Sequence, residues 1–198
     1  MSRIGKLPIN IPSGVSVSID GSCVTIQGPK GEMQKSFAGN LVFKVEENQV
    51  LVLRNGITPF DISMWGTARS IIQNCIIGVS TGFTKELEVS PYRGSLKVGE
   101  SYFRISGEKI KSKSGYIYLD LGKSHSTWIE IPQYITVESV EHVGRDKKTS
   151  IKMSSIDKEK LGFFASSLIK QRPLNPYKGH GIRPKEQKVV LKEIKKQK

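Results

Sequence analysis

Histidine can act as a general acid, a general base or a metal ligand. The spacing of the histidines in this chain supports neither a metal site nor a catalytic pair. His125, His142 and His180 are scattered, and no cysteine or carboxylate accompanies them at metal-ligand spacing. Ser124 precedes His125, but neighbours on a strand point to opposite faces and do not form a nucleophile–base pair. We therefore predict that the protein is not an enzyme and that it needs no metal or cofactor.

Two further features resemble reactive sites only superficially. Cys23 and Cys75 are far apart in apolar surroundings, which predicts buried, reduced thiols and not a zinc knuckle or redox pair. Residues 28–31 read Gly-Pro-Lys-Gly, but they lack the Walker spacing and the following helix of a phosphate loop. A hairpin turn is the better interpretation of that tetrapeptide.

The charge of the chain favours a polyanionic partner. The 198 residues hold 31 Lys and Arg against 18 Asp and Glu, a net charge of +13. A surface that positive repels itself unless nucleic acid or an anionic membrane neutralises it. Residues 167–198 alone carry ten Lys and Arg against two Glu, a net +8. No apolar run is long enough for a membrane span, and the first residues lack the apolar stretch of a signal peptide, so we predict no membrane association.

The candidate binding residues lie in this basic segment. Its prolines and glycines forbid a continuous helix, and an interleaved tyrosine can stack on a base or ribose. Its glycines, having no side chain, would let RNA approach the backbone closely. The predicted RNA-binding residues are Arg172, Tyr177, Lys178, Gly179, His180, Gly181, Arg183, Lys185 and Lys188.

Two halves of the chain share one order of elements. An Ile-Pro pair at residues 11–12 precedes an alternating strand, and residues 131–132 repeat that arrangement. After further strands, apolar residues recur at three- and four-residue spacing over 62–79 and again over 161–169. The pattern predicts an α+β protein of two tandem homologous domains, each an antiparallel sheet packed on one helix, with a basic C-terminal extension.

Cap residues indicate where these helices begin and end. Asp61 and Asp157 are the predicted N-caps, and Gly82 is the predicted stop of the first helix. Lysine-containing residues 97–115 predict a long hairpin or loop whose lysines either touch RNA or are simply solvated. The predicted units are an N-terminal α+β domain at 1–82, a C-terminal α+β domain at 83–172 and a basic RNA-binding tail at 173–198.

Residues 172–183 read RPLNPYKGHGIR and closely resemble the signature of the ribosomal protein L6 family of the large subunit. Asn175 stands where that family usually has Glu, and His180 where it usually has Lys. Further similar stretches follow in the family's order along nearly the whole chain, at residues 2–8, 11–12, 24–31, 66–69, 78–83 and 121–125.

One stretch departs from the family pattern. The family usually has Gly-Val-Gly-Tyr-Arg after the domain junction, whereas residues 89–94 read VSPYRG here. Pro91 has no backbone N–H to donate to the hydrogen-bond ladder of a central strand. We therefore expect its strand to be an edge strand, bulged or shortened there.

The resemblance implies that the second domain docks on large-subunit rRNA, among neighbouring large-subunit proteins. It also implies a position near the sarcin–ricin loop and the stalk base, where translational GTPases bind. A free-standing RNA-binding assembly factor or regulator on the same domains is the alternative. The chain has 23 Lys to 8 Arg, which suits an A+T-rich genome and weakly favours a ribosome of the mitochondrial matrix over one of a bacterial cytoplasm or plastid stroma.

Overall fold

The chain divides into two compact units, each of which has its own sheets and helix. The computed structural model describes residues 4–90, 96–98, 102–105, 108–111, 115–119, 127–143 and 148–193. The first unit comprises the chain up to Phe83 together with Ile156–Lys158, and the second comprises the remainder. The α+β class with antiparallel sheets is confirmed, whereas the bounds 1–82, 83–172 and 173–198 stay predictions.

The first unit contains two three-stranded antiparallel sheets and one long helix. Its elements are β1 (Ile9–Asn10), β2 (Ser16–Asp20), β3 (Cys23–Gly28), β4 (Gly31–Ser36), β5 (Leu41–Glu46), β6 (Gln49–Arg54) and α1 (Pro59–Ser80). Strands β2, β3 and β4 form a meander, and the other sheet has the order β1-β6-β5. The turn between β3 and β4 contains the Gly-Pro-Lys-Gly tetrapeptide, so the hairpin interpretation is confirmed.

Helix α1 covers the core of this unit with the predicted apolar stripe. Trp65, Ala68, Ile72 and Val79 are all buried, and they pack with residues of both sheets in one cluster. The indole Nε1 of Trp65 donates a 2.7 Å hydrogen bond to the backbone carbonyl of Val52, so the buried ring leaves no polar atom unsatisfied. The apolar stripe of α1 is therefore part of the hydrophobic core of this unit.

The first helix begins earlier than its sequence pattern suggested. Thr58 is the N-cap, with its hydroxyl accepting a hydrogen bond from the backbone N–H of Asp61, and Pro59 occupies the first turn. The prediction of Asp61 as the cap is wrong because that residue already lies within the helix. Its buried carboxylate instead accepts hydrogen bonds from the hydroxyl of Thr58 at 2.5 Å and the backbone N–H of Asn40 at 3.1 Å. These hydrogen bonds lower the pKa of Asp61, with that from Thr58 contributing most.

The predicted end of α1 is confirmed. Thr81 is the C-cap, and its backbone N–H bonds back to the carbonyl of Ile77. Gly82 follows with a φ of +77°, the left-handed conformation that commonly closes a helix and that glycine adopts without steric cost.

The second unit has more strands and a shorter helix. Its elements are β7 (Phe83–Ser90), β8 (Leu96–Val98), β9 (Tyr102–Ile105), β10 (Glu108–Lys111), β11 (Tyr116–Leu119), β12 (Thr127–Glu130), β13 (Thr136–Val143), β14 (Lys148–Ser155), α2 (Lys158–Gln171) and β15 (Gly181–Pro184). The sheets have the orders β13-β14-β7-β15 and β12-β11-β8, and β9 and β10 form a hairpin within the stretch predicted as a hairpin or loop. The side chains of Lys109, Lys111 and Lys113 lie outside the described residues.

Strand β7 is internal to its sheet, because β14 and β15 flank it on either side. It ends at Ser90, directly before Pro91, which itself lies outside the described residues. The edge alternative is therefore wrong for β7, and the strand is instead short enough to stop before the proline.

Helix α2 buries the stripe predicted for it. Leu161, Phe164, Ala165 and Leu168 are each at most 5% exposed. Asp157, the predicted cap, directly precedes the first helical residue. In each half of the chain, the helix thus contributes one apolar stripe to the hydrophobic core.

Candidate nucleic-acid interface

The middle of the predicted binding segment is a strand of the second unit's sheet. In the antiparallel pairing of β15 with β7, Ile182 lies opposite Val89 and Arg183 opposite Glu88. Ile182 is 1% exposed, so its side chain belongs to the core. The basic extension predicted from Pro173 onward therefore includes residues that complete the sheet.

Two of the predicted RNA-binding cations have carboxylate partners on β7. Arg183 Nη2 lies 2.5 Å from Glu88 Oε2, and Arg183 Nη1 donates to the carbonyl of Gln187 at 2.8 Å. Both side chains of the pair are only about one-sixth exposed (17% and 16%). Lys185 Nζ lies 2.5 Å from Glu86 Oε2, but 60% of its side chain is exposed. Arg183 thus anchors β15 to β7, while Lys185 keeps much of its surface toward solvent.

A compact loop precedes β15 and carries the tyrosine and lysine of the signature. The side-chain carbonyl of Asn175 accepts hydrogen bonds from the backbone N–H groups of Tyr177 at 2.9 Å and Lys178 at 3.2 Å. The Asn175 backbone accepts from the N–H of Gly179 and donates to the carbonyl of His180, each at 2.8 Å. Tyr177 is 51% exposed and Lys178 is exposed, so the closed loop holds both side chains toward solvent.

Asn175 makes the hydrogen bonds that close this loop, and sequence reasoning named it only as a departure from the family pattern. Asparagine side chains commonly hydrogen-bond to the backbone two residues further on, which was the available signal. In this chain that bond orders the residues whose side chains are exposed.

The two glycines of the signature differ in their surroundings. Gly181 has a φ of +139°, and a Cβ placed there would lie 2.6 Å from the carbonyl oxygen of Pro173 and 2.8 Å from Leu174 Cα. The chain itself already occupies the space beside Gly181, so its fold requires glycine there. Gly179 has a φ of +72°, and its Cβ would meet only the side chain of Leu191, at 3.3 Å.

The remaining cations lie on either side of the loop. Arg172 is half-buried at the end of α2, and its carbonyl accepts a 2.9 Å bond from the N–H of Ile182. Lys188 is exposed after β15. Lys192, which sequence reasoning did not single out, donates its backbone N–H to the carbonyl of Pro176 at 2.9 Å. The chain after β15 therefore returns to the loop and brings one more lysine to it.

The electrostatics of the segment follow from these contacts. Residues 172–193 carry six Lys and Arg against two Glu. The carboxylates of β7 compensate Arg183 and Lys185. Lys178 in the loop and Lys188 after β15 are both exposed, so they lie where cations can approach phosphates. Among the described residues, no group of three or more His, Cys, Asp or Glu could hold a metal ion. No helix in the described part of the chain meets the length and hydropathy needed to cross a membrane.

Comparison with known proteins supports the resemblance seen in the signature. The family model for ribosomal protein L6 matches residues 11–82 and 106–185, one segment in each half of the chain. The large ribosomal subunit protein uL6 of Staphylococcus epidermidis is 38% identical over 195 residues, which cover 98% of each chain. The two matched segments fit tandem homologous domains, and the bacterial relative gives no support to the mitochondrial preference. The chain belongs to the ribosomal protein L6 family.

Proposed function

We propose that this chain is a structural protein of the large ribosomal subunit that binds large-subunit rRNA, and that it is not an enzyme. Membership of the L6 family supports this function, as does a relative whose name places it in the large subunit. The excess of Lys and Arg supplies the salt-dependent attraction to phosphate that such a role requires.

The observation that carries the proposed site is the closed loop at residues 175–180. Its internal hydrogen bonds fix the backbone before any ligand arrives, so little conformational entropy is lost when the exposed Tyr177 and Lys178 bind. A lysine can contact a phosphate while an adjacent tyrosine stacks on a base or ribose. The proposed rRNA contacts are Arg172, Tyr177, Lys178, Gly179, His180, Lys185 and Lys188, while Gly181 and Arg183 hold β15 in place.

The finer placement rests on the family resemblance. We propose a position near the sarcin–ricin loop and the stalk base, beside neighbouring large-subunit proteins and close to bound translational GTPases. The Lys-to-Arg ratio and the departure from the family pattern after the domain junction are the grounds for proposing a ribosome of the mitochondrial matrix. A bacterial cytoplasmic ribosome agrees with the bacterial relative.

The test is binding of the full chain to a large-subunit rRNA transcript at several salt concentrations. Lys178→Ala should weaken binding by about tenfold, the worth of one charge-assisted hydrogen bond. Lys44→Ala is the matched control, because Lys44 is an exposed lysine on β5 of the first unit. Equal losses from both variants would show that only net charge matters and would contradict the site.

Sedimentation distinguishes a scaffold from a transient assembly factor. A scaffold should remain at one copy per mature large subunit after washing at moderate salt. Release of the chain under conditions that retain other large-subunit proteins would favour the assembly factor.

A further inference from the structure

The solvent-facing side of α2 carries an aromatic ring that does not pack into the hydrophobic core. Phe163 is 74% exposed, the most exposed aromatic side chain among the described residues. Its neighbour Phe164 is 5% exposed and Leu168 is fully buried, so the core-facing stripe is complete without it. The ring contributes no apolar burial to the isolated chain, and its exposed face is available for stacking by a partner.

The helix also lacks a side chain beside this ring. Gly162 lies inside α2, where glycine is the least favourable residue after proline. A Cβ at Gly162 would meet nothing within 4 Å, so no packing inside the chain requires glycine there. One turn later, the hydroxyl of Ser166 turns back and donates to the carbonyl of Gly162 at 2.8 Å. The helix surface beside Phe163 therefore has no protruding side chain at Gly162, and a ligand can approach the helix backbone closely there.

Cations and a second aromatic border the same surface. Lys160, three residues before Phe163 and hence on the neighbouring helix face, holds its Nζ 4.9 Å from the centre of the Tyr134 ring. Tyr134 is itself 44% exposed. Lys170 is exposed seven residues after Phe163, two turns along the same face. Exposed aromatic rings among lysines form the kind of surface on which unpaired nucleobases stack while cations follow the backbone.

The charge of this helix favours RNA over protein as the occupant. From Lys158 to Arg172 the chain carries four Lys and Arg against Glu159 alone. The helix also leads directly into the loop at 175–180, which we propose as an rRNA contact. A single polyanion can therefore follow α2 into that loop.

We propose that α2 carries a stacking platform, on which an unpaired base of large-subunit rRNA stacks against Phe163. The sugar–phosphate backbone passes close over Gly162, and the phosphates on either side lie near Lys160 and Lys170. This inference rests on the proposed function, because it assigns a second contact surface for the same RNA.

Two substitutions separate RNA contact from stability in the full chain. Phe163→Ala removes only an exposed ring and introduces a better helix former, so the Tm should stay the same or rise. Binding to the rRNA transcript should weaken by about tenfold, as expected for the loss of one stacked base. Gly162→Ala should raise the Tm by a few degrees and yet weaken binding severalfold, because the added methyl group holds the RNA away. Phe60→Ala is the control, since Phe60 is 54% exposed on α1 of the first unit.

Chemical probing of the transcript identifies the stacked base. The wild-type chain should protect an unpaired base that Phe163→Ala leaves reactive, while protections that depend on Lys178 persist. If the wild-type chain does not bind the transcript at all, the proposed function fails. If it binds and both α2 variants bind equally well, the platform is overturned while the function stands. Normal transcript binding with impaired incorporation into large subunits would assign this face to a neighbouring protein and would also overturn the inference.

Discussion

Replacing Gly181 by alanine should destabilise the second unit more than replacing Gly115, although the two glycines have nearly the same φ. Their φ values are +139° and +136°, where an L side chain is strained by about 1–3 kcal/mol. A Cβ on Gly115 would meet nothing within 4 Å, whereas one on Gly181 would lie within 3 Å of backbone atoms of residues 173 and 174. Overpacking against backbone adds about 1–3 kcal/mol. We expect losses in the free energy of unfolding of about 2 kcal/mol for Gly115→Ala and about 4 kcal/mol for Gly181→Ala.

Urea unfolding of the full chain, followed by circular dichroism, measures both losses if the m value is unchanged. Because the two glycines share nearly the same φ, the difference between the two losses measures the clash of the added Cβ with residues 173 and 174. Equal losses would show that the contact with residues 173 and 174 does not require glycine. A stable Gly181→Ala protein with weakened rRNA binding would show instead that the glycine provides close approach to RNA, as its sequence context suggested.

Three further predictions concern charge. Arg183→Ala should lower the free energy of unfolding by about 2 kcal/mol because it removes a mostly buried ion pair with Glu88. Lys185→Ala should cost less than about 1 kcal/mol because the side chain of Lys185 is 60% exposed. Similar urea midpoints for the two variants would contradict this. The pKa of Asp61 is lowered from 3.8 by hydrogen bonding, so its stabilising effect is present above about pH 4 and is lost as the pH falls toward the lower, folded-state pKa. Asp61→Asn should therefore have a flatter acid unfolding curve than the wild-type chain, and parallel curves would refute the assignment. With about four phosphates neutralised around residues 172–193, the logarithm of the rRNA binding constant should fall with the logarithm of salt at a slope of roughly −3 to −4; a slope near zero would exclude phosphate contacts as the source of affinity.

Local patterns in the sequence predicted the elements that depend on neighbouring residues. The apolar stripe from Trp65 to Val79 has helical spacing, and burial of that face is what stabilises α1. Gly82 was predicted as the stop because a left-handed residue closes a helix, and its φ is positive. The cap was missed because Thr58 and Asp61 are both good N-cap residues three positions apart. Sequence alone did not distinguish a cap from an acid in the first turn.

The binding segment shows the limit of the same reasoning. Its charge and its signature are properties of consecutive residues, so the sequence by itself determined the family resemblance and the expectation of a polyanionic partner. Only the tertiary structure decided which of its cations pair with carboxylates of β7. Glu88 lies 95 residues before Arg183 in the chain, and their ion pair exists only because β15 pairs with β7. Likewise, the need for glycine at 181 arises from the carbonyl of Pro173, which the fold brings against it. Long-range strand pairing sets these contacts, and no local pattern of residue types encodes them.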